Sequence, residues 1–215
     1  MMCGRYTTEI ETDEHELYQM LARAEQTSSA GTATPLASDT GVKSIRGREV
    51  FPSDAAAVLS AGTEHPIDAF LFRWGFPSSM DGKRRLLINA RSESVLEKPS
   101  FAPHFLQQRC VIPTAGFFEW AHHGNRADPA QKYRFNLPQT GMLFLAGFYR
   151  QSPTAENERE FLILTREAND SMAPIHHRMP VILRREHIEE YLLDAASAQT
   201  LLNETPPVLL KRLVS

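Results

Sequence analysis

Cysteine is nearly missing from this chain, with only Cys3 and Cys110 among 215 residues. That excludes a disulfide framework and any four-cysteine zinc site. Long hydrophobic runs are missing too: none reaches the roughly 18–20 residues that a bilayer-spanning helix needs. The N-terminus has neither the basic nor the apolar region of a signal peptide. A reducing, cytoplasmic location is therefore the expectation, and it would keep Cys3 a free thiol. Nor does charge of one sign dominate. The formal net charge of -3 gives no general attraction to nucleic acid, so a polyanion site would have to be a local patch of arginines.

What is present is ordinary for a globular protein, with 42% hydrophobic and 23% charged residues. The length suits a single domain, residues 1–215, with room for a substantial core. Leu17, Met20, Leu21 and Ala24 predict a helix in "TDEHELYQMLARAEQ", capped by Thr12 or Asp13. Residues 26–48 are small and polar and read as a long loop. Short runs with β character follow: "IDAFLFRW", "RLLINA", "RCVIPTAGFFEW" with a break near Pro113 to Gly116, "KYRFNL", "MLFLAGFY", "EFLILT" and "MPVIL". Helical patterns interrupt them at "PSFAPHFLQQ" and "REHIEEYLLDAASAQTLLN". Strands clustered without regular βα alternation predict an α+β fold, a curled, mainly antiparallel and barrel-like sheet with flanking helices.

Four stretches place polar groups where a purely structural strand needs none. "LLINARSES" runs from apolar residues into Asn89, Arg91, Ser92 and Glu93, and "IPTAGFFEW" sets Glu119 between Phe118 and Trp120. "ILTREANDSMAPIHHRMPVIL" holds Thr165, Asn169, His176, His177 and Arg178, and "FLFRWGF" ends at Arg73 and Trp74. Each has a plain structural reading. Asn89 suits a turn, and Glu119 can alternate outward on a strand. His176 and His177 can form a surface pair, and Arg5, Arg91 and Arg178 can sit in surface ion pairs. Trp74 can be core. Cys110 reads as buried and inert, and the two His-His pairs lack zinc-ligand spacing.

Together, "CGRY", "RWGF", "NARSES", "RCVIPTAGFFEW" and "LTREANDSMAPIHHRMP", in this order, resemble the SOS response-associated peptidase (SRAP) family, whose members process abasic sites in single-stranded DNA. The resemblance runs from Cys3 to about Leu183. It implies that Cys3, exposed as the mature first residue, traps the abasic site. By the same resemblance Asn89 orients Cys3, Glu119 and His176 are acid-base groups, Arg5, Arg91 and Arg178 hold phosphates, and Trp74 lies along the DNA path. It further implies no cofactor, a bacterial cytosolic protein working at the nucleoid, single-stranded abasic DNA as partner, replication-fork proteins as candidate further partners, and a monomer.

The chemistry of these residue types fits. An abasic deoxyribose equilibrates with a ring-opened aldehyde, and a free α-amine condenses with it to a Schiff base. An N-terminal cysteine alone also offers a thiol that closes the imine into a five-membered thiazolidine, an intramolecular second attack. Arg5 nearby would favour the deprotonated amine and thiol, and Trp74 or Phe76 could stack bases. Three features depart from the family pattern. The chain starts Met1-Met2-Cys3, so two residues must be removed or translation must start at Met2; self-cleavage involving Cys3 and Glu119 is the implied route. His177 stands where an aspartate is common. "FPSSMDGKRR" after Gly75 is short and lacks a second tryptophan. Two rival readings stay open: a thiol peptidase acting on other proteins through Cys3, His176 and Asn89 or Glu119, and a non-catalytic binder of single strands.

Overall fold

The computed structural model describes residues 4–9, 19, 47–62, 65–80, 83–121, 130–138 and 142–214. The expected helix at 12–26 lies outside them apart from Gln19, which is helical, as do Cys3 and nearly all of the expected loop at 26–48.

Alternating burial on two faces builds the main sheet. Its strands are β3 (Ala55–Ala61), β4 (Ile67–Trp74), β7 (Asn89–Arg91), β8 (Arg109–Thr114), β11 (Leu143–Gln151), β12 (Arg159–Glu167), β13 (Arg178–Pro180) and β14 (Ile182–Leu183). The path runs β13-β12-β4-β3-β8-β11-β14, and an additional β11–β12 pairing closes five of these strands into a ring. In β12, Phe161 and Ile163 enter one buried cluster while Leu162 and Leu164 enter the other. Both faces are therefore covered, and the strand reads as a continuous apolar run rather than an alternating one. Pairing is antiparallel except where β12 meets β4 and β7. The sequence-based expectation of a curled, mainly antiparallel α+β fold holds.

A second sheet, in the order β15-β10-β9-β1-β2, lies across one face of this ring. It consists of β1 (Tyr6–Thr7), β2 (Glu49–Val50), β9 (Gly116–Ala121), β10 (Gln131–Asn136) and β15 (Leu210–Val214). Between the two sheets pack Tyr6, Trp74, Phe117, Phe135 and Phe161. On the other side the helices α1 (Ala102–Gln107), α2 (Ile188–Leu193) and α3 (Ala195–Leu201) cover the second cluster, with Phe105, Tyr191, Leu192 and Leu201 facing the sheet. Arg109 is buried and fastens two of them, donating to Phe105 O at 3.0 Å, Tyr191 O at 2.6 Å and Leu192 O at 3.0 Å. It thereby serves carbonyls that helix ends leave without partners.

Two glycines are required by geometry. Gly147 lies where β11 crosses β12, and a Cβ there would come within 2.6 Å of Leu162 O. Gly75 has φ +114°, and a Cβ would meet Leu86 Cγ at 2.7 Å. That turn takes the chain out of β4 into the hairpin β5 (Phe76–Met80) and β6 (Lys83–Leu87), from which it returns as β7 carrying Asn89.

Candidate functional site

The chain enters at Gly4, and what surrounds it defines the site. Phe118 N donates to Arg5 O at 2.9 Å, and Tyr6 is registered with Phe117. The N-terminal strand thus lies beside the segment that carries Glu119. A Cβ on Gly4 would come within 3.9 Å of Ile88 Cδ1, one residue before Asn89. Sheet pairing joins residues 4–5 to 118–119, and packing between the two sheets brings 88–89 beside them. Glu119 is buried in β9 opposite Tyr133 of β10, and Asn89 is half-buried opposite Ile163 of β12.

His176 comes from the turn between β12 and β13, and Arg178 opens β13 opposite Glu167. That turn is built locally: Asn169 Oδ1 accepts from Ser171 Oγ at 2.6 Å, while its Nδ2 donates to Pro207 O at 2.8 Å. Asn169, singled out in the sequence, is thus a structural staple. His176 N donates to Met172 O at 3.1 Å, and Arg178 N donates to His176 Nδ1 at 3.0 Å. With Nδ1 accepting, the neutral ring carries its proton on Nε2. Burial pushes the His176 imidazole below its ordinary pKa, and His177, stacked on it at 4.4 Å, pushes the same way.

The arginines differ in what they present. Arg91 is exposed at the end of β7. Arg5 is partly exposed: its Nη1 lies 3.1 Å from Glu49 Oε2, and its guanidinium sits over the rings of Phe51 at 4.2 Å and Trp120 at 5.1 Å. Arg178 is largely covered and holds Glu93 through Nη1–Oε1 at 2.6 Å and Nη2–Oε2 at 2.7 Å.

Trp74 corrects an expectation. It is fully buried between Tyr6 and Phe161, and its Nε1–H donates to Ile88 O at 3.0 Å. Phe76 is equally buried, against Phe148. Neither ring can stack a base, because each faces the core. The plain structural reading of Trp74 was the right one. The aromatic groups at the surface near Gly4 are instead Trp120, half-exposed, and Phe51, 41% exposed.

Sequence reasoning assigned no role to Glu49, Phe51 and Lys132. Glu49 takes Arg5 on one oxygen and Lys132 on the other, and Lys132 also lies over Phe118 at 4.0 Å. Only the pairing of β2, β1, β9 and β10 unites them. Cys110 is fully buried and its thiol is pushed well up by burial, in agreement with the inert role expected of it. Among the described residues no group of three His, Cys, Asp or Glu side chains is placed to hold a metal, and no helix is long and apolar enough to cross a membrane.

Fold and site thus define an α+β protein whose N-terminal strand is flanked by a buried carboxylate and an amide. The chain belongs to the SOS response associated peptidase (SRAP) family, whose model matches residues 2–212. It is 39% identical over 127 residues to "Abasic site processing protein YoqW" of Bacillus subtilis (strain 168), covering 56% of this chain and 55% of that protein. It is 34% identical over 151 residues to "Abasic site processing protein YoaM" of the same organism, covering 66% and 64%. The chain thus matches less than two thirds of the length of these curated relatives. A solved structure from Bacteroides thetaiotaomicron superposes with a TM-score of 0.69 at 22% identity over 99% of this chain and 92% of that one, a likeness of fold.

Proposed function

We propose that this protein processes abasic sites in single-stranded DNA by linking itself covalently to them through Cys3. The carrying observation is the convergence at Gly4 of the segments bearing Asn89 and Glu119, in a chain of this family with relatives named for abasic site processing. Removal of Met1 and Met2, assisted by Glu119, frees the α-amine. The amine attacks the sugar aldehyde, water leaves, and the Cys3 thiol adds to the imine to close a thiazolidine, its proton passing to the nitrogen. Asn89 orients the amine, and His176 Nε2 protonates the ring oxygen during opening. Arg5 and Arg91 hold phosphates, and Trp120 and Phe51 take the stacking role that Trp74 cannot, a sequence-tolerant contact suited to lesions in any context.

The test is the intact mass of the protein after incubation with an abasic single-stranded oligonucleotide. A denaturant-resistant adduct lacking one water is expected, and acetylating the α-amine should abolish it. An adduct that survives acetylation rules out the imine route. The pH profile gives a second check. The reaction needs a neutral amine, with ordinary pKa about 7.7–8.0, and an imidazolium whose pKa lies below about 6.5. Above about pH 8 the amine gains nothing further while imidazolium is still lost, so the rate should fall. His176→Gln should level off there instead; an unchanged alkaline limb would remove His176 from the proton transfer.

A further inference from the structure

Asn89 and His176 stand on segments that the covalent chain keeps far apart, and one side chain ties them together. Glu93 lies in the 3-10 turn Ser92–Ser94 that directly follows β7. Its carboxylate receives Arg178 Nη1 at 2.6 Å and Nη2 at 2.7 Å across 85 residues, and the Glu167 amide of β12 at 3.2 Å. The same Arg178 Nη2 donates to Thr165 O at 2.6 Å, and Thr165 Oγ1 donates to Ala90 O at 3.2 Å. The guanidinium is therefore held end-on by the carboxylate and from the side by a carbonyl. Arg178 also donates its own amide to His176 Nδ1. One residue thus receives the tie from the Asn89 side and passes it to the imidazole.

We propose that Glu93 is a positioning residue: its forked pair with Arg178 sets the His176 imidazole relative to Asn89. This rests on the proposed role of His176. Glu93 moves no proton; it acts through geometry alone. A planar fork held at both ends fixes direction as well as distance, which a point charge does not. Small misplacements of an acid-base group are costly, since an error of about 1 Å can lower a rate about 100-fold. With both terminal nitrogens engaged, Arg178 presents less to an approaching phosphate than the exposed Arg91 does.

A competing role has the opposite sign. Were Glu93 a stand-in for phosphate, displaced when DNA arrives, its neutralisation would free Arg178 and tighten DNA binding without slowing the reaction. The decisive variants in the full chain are Glu93→Gln, Arg178→Gln and the pair combined. Three readouts are needed: crosslinking rate at saturating abasic oligonucleotide, affinity for the same oligonucleotide with intact bases, and the His176 titration by NMR. Glu93→Gln should slow crosslinking at least about tenfold, change affinity less than about twofold, and shift the His176 titration, because the Arg178 amide and guanidinium both act on that ring. The double variant should be little slower than either single one, as expected for two ends of one contact. An unchanged or faster rate in Glu93→Gln, additive losses in the pair, or an unmoved His176 titration each overturns the proposal. Should Glu93→Gln not fold, Glu93→Asp, which keeps the charge but shortens the reach, must show the same three effects in weaker form or the proposal fails. If the wild-type chain forms no adduct at all, the proposed function falls, while the titration still decides whether Glu93 sets the imidazole.

Discussion

The closed ring and the sheet that lies across it hold their strands by different means. Ring strands β3, β4, β11 and β12 run seven to nine residues each and are buried on both faces. In the second sheet β1 and β2 have two residues each, and β15 leaves Leu210 and Leu213 exposed. There the N-terminal strand is held by side chains as much as by its ladder: Thr114 Oγ1 donates to Thr7 O at 2.7 Å, and Arg5 pairs with Glu49. Asn89 and Arg178 stand on the three-residue strands β7 and β13 that pair with ring strand β12, whereas Gly4 and Arg5 precede the two-residue β1 of the second sheet. Regions with few buried contacts open without global unfolding, so β1 and β2 should open more readily than the ring strands.

Three substitutions test this contrast, in descending order of effect. Phe148→Ala removes a fully buried ring that packs on Phe76 and Phe101. It should cost about 3–5 kcal/mol in urea unfolding and weaken protection of β11 and β12 amides globally. Thr114→Val deletes the hydroxyl over Thr7 O and should cost about 1–2 kcal/mol. Its effect should appear mainly as faster hydrogen exchange at the Ala115 and Phe118 amides, which donate to Thr7 O and Arg5 O. Equal acceleration of ring amides would mean that the two regions open as one. Glu49→Gln releases Arg5 and Lys132, both partly exposed. It should shift stability by less than about 1 kcal/mol and strengthen salt-sensitive affinity for single strands by unmasking two cations. A loss as large as that of Thr114→Val would make Glu49 a principal fastener of the sheet.

Much of the fold was legible because apolar, β-branched and aromatic runs bounded by turn residues leave a direct trace. "IDAFLFRW" is β4 residue for residue, and the break expected near Pro113 to Gly116 falls at Ala115 between β8 and β9. "RLLINA" was read as one strand but divides into β6 and β7, since the chain there changes partner from a hairpin to β12. β1, β2 and β15 went unseen; segments as short as β1 and β2 carry no periodicity. His176, Arg178 and Asn89 were singled out by their polar character between apolar runs. Glu49, Phe51 and Lys132 were not, for nothing local distinguishes them until pairing unites residues 44 and 83 positions apart. Trp74 was misassigned to the DNA path because a tryptophan beside an arginine looks the same in sequence whether it faces the core or a ligand.

The chain's two tryptophans are thereby placed as a matched pair of optical reporters. Trp74, sealed in the core with its indole N–H satisfied, should emit at the blue end and resist aqueous quenchers. Trp120, half-exposed with Arg5 and Lys132 near its ring, should emit further to the red and respond to whatever arrives beside Gly4. Wild-type protein carries its own internal standard and its own site probe. A ligand that arrives beside Trp120 can then be followed without attaching a dye.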